Sequence, residues 1–169
     1  GNGYTSTSIN GSSFLMIDDN LAGPSASTIN SSLITSEFSA LGYDTITLRY
    51  KSVFKANGGR GYIDVWRPVN GVYSWVVLDS LTSDQGIGSI STGWQATTKS
   101  YNLTSYQSNS LKIRFRYSDL GVVAGWWAID DFELFGSKSQ TGNVRVAITT
   151  DIYGSEVSWK IVNTANKLV

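Results

Sequence analysis

Four of the thirteen carboxylates stand as two adjacent pairs, Asp18-Asp19 and Asp130-Asp131. Like charges side by side are costly unless water, hydrogen bonds or a cation compensates them. A hard, oxygen-seeking ion is one solution, and calcium takes about 6 to 8 oxygens in the flexible geometry that strand-to-loop junctions supply. Asn20 adds an amide oxygen beside the first pair. Turn capping and plain solvation form the competing reading, and the sequence holds no EF-hand loop. Asp131 and Glu133, two apart on one strand, would share a face with about 6 to 7 Å between Cα atoms, which suits a carboxylate pair flanking a glycosidic bond. A further acid two residues ahead would strengthen that reading, and Ile129 stands there instead.

The aromatic residues point to binding. Tyr62, Asp64 and Trp66 alternate along one segment and so fall on one face of a strand, mixing flat rings with an acceptor. Trp75 and Trp94 are further platforms for a sugar ring or anchors for a protein partner. Trp126 and Trp127 must face opposite sides of a regular strand, so at least one belongs to the core. Arg49, Lys51, Lys112, Arg114 and Arg116 read as a basic stripe, either a surface for an acidic polysaccharide or a solvated face that blocks edge association.

Composition removes whole classes of chemistry. There is no His and no Cys, so zinc sites built on them, thiol nucleophiles, Ser-His-Asp devices and disulfides are all excluded. Thirteen Lys plus Arg balance thirteen Asp plus Glu, so no nucleic-acid footprint shows in the charge. No run approaches the roughly 18 apolar residues of a membrane span. The chain opens Gly1-Asn2-Gly3 without Met or an apolar leader and is read as a processed or trimmed product.

The elements that must position these residues are strands. Period-two alternation recurs and helical spacing does not. In 44–54, Ile46, Leu48 and Tyr50 share one face; in 110–117, Leu111, Ile113, Phe115 and Tyr117 do the same. Further strands are expected over 14–17, 33–38, 61–66, 73–78, 95–101 and 126–135, giving an all-β, antiparallel jelly-roll sandwich. Residues 79–93 read as a long loop, functional or mobile. A polar joint follows Gly136, and two alternating segments in 144–162 mark a short β tail. The domains expected are 1–136, the sandwich, and 137–169, a linker with the start of a second β module or a docking extension.

The ordered series Phe14-Leu15-Met16-Ile17-Asp18-Asp19-Asn20, Leu33-Ile34-Thr35-Ser36-Glu37-Phe38, Tyr43 to Tyr50, Gly61-Tyr62-Ile63-Asp64-Val65, Leu111 to Tyr117 and Trp127-Ala128-Ile129-Asp130-Asp131-Phe132-Glu133-Leu134 carries a resemblance. Over residues 1–136 it resembles the MAM-like and cleaved-adhesin-like jelly-roll modules, the choice-of-anchor J type included, of secreted and surface proteins of Bacteroidetes-type bacteria. The chain departs from them at Asn70-Gly71-Val72-Tyr73-Ser74-Trp75, where related modules often carry Asp-Gly-Gly followed by Thr-Trp. Asn-Gly still serves the φ > 0 positions of a hairpin turn.

The resemblance implies a noncatalytic module, secreted or at the cell surface, attached to neighbouring domains such as peptidases, glycosidases or adhesins and often holding calcium. It places the principal calcium ligand at Asp130, with Asp18, Asp19, Asp131 and Asn20 as the other candidates. Ser80, in Asp79-Ser80-Leu81, and Thr45, in Asp44-Thr45-Ile46, match a short O-glycosylation pattern of that bacterial group. The function expected is recognition or adhesion through a glycan or surface protein, with Trp66, Tyr62, Asp64, Trp75 and Trp94 as ligand-binding residues. A structural spacer beside a peptidase or other enzyme is the alternative, and a carboxylate-based glycoside hydrolase the third reading. Nucleic-acid binding and membrane insertion are not expected.

Overall fold

The computed structural model describes residues 14–18, 28–89, 93–121 and 125–139. The chain divides into two units, Gly1–Ser139 and Gln140–Val169, and the second lies outside the described residues, as does the expected β tail. The described residues form ten strands: β1 (Leu15–Asp18), β2 (Asn30–Ile34), β3 (Thr45–Lys55), β4 (Arg60–Val69), β5 (Val72–Leu81), β6 (Ile87–Ser89), β7 (Gly93–Gln95), β8 (Thr97–Asn102), β9 (Lys112–Ser118) and β10 (Trp126–Ser137). Among the described residues the only helical element is one 3-10 turn, Thr104–Tyr106.

The strands pair antiparallel in the orders β1-β10-β3-β8 and β2-β9-β4-β5, here the first and second sheets, with β6-β7 as a separate hairpin. First and last strands are neighbours, and β1 to β4 alternate between the sheets, the order of a jelly roll. The expected all-β sandwich is the fold.

Alternation explains the layers. From β3, Ile46, Leu48, Tyr50 and Phe54 point inward; from β4, Ile63 and Val65; from β9, Ile113, Phe115 and Tyr117; from β10, Trp127 and Ile129. The rings interlock edge to face across the gap: Tyr50 lies 4.9 Å from Phe115, and Phe115 5.8 Å from Trp127. Trp127 donates its indole N–H to Ser52 Oγ at 2.9 Å, which satisfies the one polar atom of that fully buried ring.

Two turns follow from local chemistry. Asn70 (φ 51°) and Gly71 (φ 82°) form the two-residue turn between β4 and β5, as the Asn-Gly pair predicts. At Gly125 the constraint is space, because a Cβ there would sit 2.3 Å from the Tyr117 hydroxyl oxygen.

Several expected boundaries move. The strand expected over 33–38 starts at Asn30 and ends at Ile34, with Phe38 returning as an isolated bridge to Leu111. The long loop expected over 79–93 is mostly pinned: β5 runs on to Leu81, Gln85 exchanges backbone hydrogen bonds with Phe54, and β6 pairs with β7. Asp84 holds the same stretch by accepting from the Ala56 N–H at 2.9 Å and from Lys55. Strand β10 runs one residue past the boundary at 136, because Ser137 pairs with Thr45.

Candidate functional site

The outward face of the second sheet gathers Tyr62, Trp66 and Trp75, three of the four aromatic residues expected to bind a ligand. On β4, Tyr62, Asp64 and Trp66 alternate outward while Ile63 and Val65 enter the core. Register then decides their neighbours. Strand β9 sets Arg116 opposite Tyr62, Arg114 opposite Asp64 and Lys112 opposite Trp66. Strand β5 sets Trp75 opposite Trp66 and Tyr73 opposite Pro68.

Each cation of β9 lies over a ring. The Arg116 guanidinium carbon is 4.0 Å from the Tyr62 centroid, that of Arg114 is 4.2 Å from Trp75, and Lys112 Nζ is 5.3 Å from Trp66. The rings also meet one another, Trp66 stacking on Tyr73 at 6.0 Å and tilting against Trp75 at 5.4 Å. Tyr73 closes the row by donating to Asn109 Oδ1 at 2.5 Å.

Asp64 sits beneath this layer with its side chain 1% exposed. Its Oδ2 accepts from Arg114 Nε at 2.8 Å and Arg116 Nε at 3.1 Å, and Arg114 Nη2 approaches to 2.7 Å. A buried carboxylate needs such partners. Lys112 turns to Glu37 at 3.2 Å. The expected basic stripe is therefore corrected: Arg49 and Lys51 lie outward on the first sheet, and only Lys112, Arg114 and Arg116 share the second.

Comparison with protein-family models and with curated proteins gives no match.

Trp94 is not part of this face. It packs edge to face against Trp126 at 5.2 Å and Phe14 at 5.7 Å, where the β6-β7 hairpin covers the first sheet. Trp126 is the outward and Trp127 the buried member of their pair.

The acidic residues are dispersed differently. First and last strands do pair, but Asp18 stands opposite Trp126, and Asp130 lies four residues further along β10. At about 3.3 Å per residue the ladder holds them about 13 Å apart. Asp19 and Asn20 lie outside the described residues. Asp130 is buried, and its Oδ1 accepts the Asp131 N–H at 2.7 Å across a bulge in which Asp131 takes φ 47°. The bulge ends the simple alternation expected for Asp131 and Glu133. Their carboxylates meet different cations, Lys51 at 2.8 Å and Arg49 at 2.5 Å, along a shallow cleft of about 210 Å³. Among the described residues no three metal-ligating side chains cluster.

Of the two short acceptor patterns, Ser80 is exposed on edge strand β5, and Thr45 is exposed at the start of β3, 2.7 Å from Ser137 Oγ. No helix among the described residues is long and apolar enough to cross a membrane.

Proposed function

We propose that this chain is a noncatalytic recognition module of a larger secreted or cell-surface bacterial protein, with the outward face of the second sheet as its binding surface. The observation that carries the reading is the concentration of Tyr62, Trp66, Tyr73 and Trp75 on a face turned away from the core. Positions of this kind ordinarily carry polar, water-facing residues. Large amphipathic rings interleaved with guanidinium groups are what recognition surfaces are enriched in.

A glycan array probed with the chain, alongside Trp66→Ala and Trp75→Ala, tests the reading. Binding that either substitution removes, with an unchanged circular-dichroism spectrum, supports it. Binding that survives both, or none at all, removes it. A structural spacer is the second reading, favoured by the cation already covering each ring. It expects no glycan to bind. Calcium at Asp130 and the other candidate ligands belongs to the same reading, and melting with and without chelator tests it: a lowered melting temperature on chelation supports the ion, and an unchanged melt removes it.

A further inference from the structure

The rings on this face are not open platforms. Arg114 lies 4.2 Å over Trp75 and Arg116 lies 4.0 Å over Tyr62, so the groups that reach solvent there are guanidinium edges framed by aromatic rims. A guanidinium has five N–H donors. Arg114 directs Nε and Nη2 at Asp64, and so does Arg116, with Nη2 at 3.4 Å from Oδ1. Among the described residues two of five donors on each are taken by Asp64, and the other three on each have no partner there.

Charge adds direction. Two arginines against one buried aspartate leave an excess of one positive charge, while Lys112 and Glu37 balance each other. The whole chain is neutral, thirteen against thirteen, so the excess is a property of this patch and not a general attraction for polyanions. The side chains of Arg114 and Arg116 are 20% and 30% exposed, so they are partly stripped of water already. Planar, weakly hydrated forks of this kind favour carboxylate and sulfate oxygens.

The occupant must be read by side chains alone. Strands β4 and β9 are interior to their sheet, paired on both sides, and offer no free backbone ladder to an extended peptide. What the face does offer is planar cations two residues apart on β9, with ring rims of Tyr62, Trp66 and Trp75 beside them to pack against apolar C–H surface. We infer that this face binds an acidic polysaccharide, its carboxylate or sulfate groups seated on Arg114 and Arg116 with its sugar rings against the surrounding aromatic rims. The inference rests on the recognition reading above and narrows its ligand.

The test is titration of the full 169-residue chain, followed by tryptophan fluorescence and calorimetry, with matched polymers. These are polygalacturonate and its methyl ester, dextran sulfate and dextran, and poly-L-glutamate. A charged polysaccharide should bind and its uncharged twin fall at least about tenfold weaker, the worth of one charge-assisted hydrogen bond. Binding should weaken with salt, and whether the carboxylated or the sulfated member binds tells which anion fits. Arg114→Gln should remove most of the affinity. Arg114→Lys, which keeps the charge and loses the fork, should not restore it, and Arg49→Gln on the other sheet should change nothing. Circular dichroism and melting show that each variant is folded. Equal binding of charged and uncharged twins overturns the inference and leaves the recognition reading standing, whereas binding of none of the polymers overturns the inference, and the broader reading is decided separately by the glycan array with its two tryptophan variants. Poly-L-glutamate bound as tightly as either polysaccharide overturns it in favour of an acidic peptide, and an equal loss from Arg49→Gln overturns the placement.

Discussion

The Tyr101 hydroxyl on β8 donates a 2.6 Å hydrogen bond to Asp79 Oδ2 on β5, linking the edge strand of one sheet to the edge strand of the other. Asp79 can reach inward because Leu78 is the extra residue of a bulge in β5, opposite the step from Ile63 to Asp64. The bond closes the side of the sandwich beyond the stacked rings of Tyr50 and Tyr101, 6.2 Å apart. Tyr101→Phe should cost about 1.5 to 3 kcal/mol, the range for a hydrogen bond to a charged group, read from denaturant midpoints.

The same pair makes an alkaline prediction. Burial, and for Tyr101 also the hydrogen bond to Asp79, holds both hydroxyls protonated above the ordinary tyrosine range near 10. A raised folded-state value favours the protonated form in the native protein. Its contribution is fully present below pH 10 and is lost as pH rises through the folded-state values. Melting temperature should fall steeply above that pH, and Tyr50→Phe with Tyr101→Phe should flatten the fall. A wild-type melt that is level up to pH 11 would contradict it.

On the acid side, Asp84 is held below its usual range by its hydrogen bond from Lys55 and then by the Ala56 N–H. Glu37 is lowered by Ser110 and Lys112, and Asp44 by Ser139. Lowered folded-state values give stability that is present above about pH 4 and lost as pH falls through them. All three groups are exposed, so the effect is small and screened by salt. Asp84→Asn should make the acid limb of the stability curve shallower at low ionic strength, and equal acid limbs would count against this.

Alternation makes β3 and β9 legible in the sequence, because each carries three or more apolar residues at every second position facing one core. The start of β2 is hidden, since Asn30, Ser31 and Ser32 have no apolar pattern and are held as a strand only by the ladder to β9. Strands β6 and β7 are three residues each, with Gly at Gly88 and Gly93, too short and too flexible in composition to announce themselves. The site divides the same way. Tyr62, Asp64 and Trp66 can be placed on one face from spacing alone, but their meeting with Arg114 and Arg116, 50 and 52 residues from Asp64, depends on the β4-β9 register. Register also separates Asp18 from Asp130 although their strands do pair as expected.

Two glycines separate backbone strain from crowding. A Cβ on Gly71 would meet nothing within 4 Å, so Gly71→Ala should cost only the left-handed conformation, about 1 to 2 kcal/mol. Gly125→Ala would set a methyl 2.9 Å from the Lys55 and Ala56 carbonyl oxygens and closer still to Tyr117. It should destabilise by more than Gly71→Ala, by about 3 kcal/mol or above, as forced overpacking does. Equal losses in chemical denaturation would show that the Gly125 pocket relaxes.

The pairing at Asp64 is asymmetric, which sets the order of its mutational costs. Asp64 has two cationic partners, so Arg114→Gln leaves the buried carboxylate with Arg116, and Arg116→Gln leaves it with Arg114. Each single substitution should cost about 1 kcal/mol, because the arginines are themselves partly exposed and screened. Removing both strands a carboxylate 1% exposed with neither guanidinium, so the double variant should lose about 3 kcal/mol or more, beyond the sum of the singles. Asp64→Ala should lie between, at about 2 kcal/mol, since both guanidiniums then swing toward water and keep their places over Trp75 and Tyr62 less firmly. A double-mutant cycle in urea measures all four. Simple additivity of the two arginine substitutions would mean that water, and not the second guanidinium, takes over when one is lost, and that Asp64 does not organise the face.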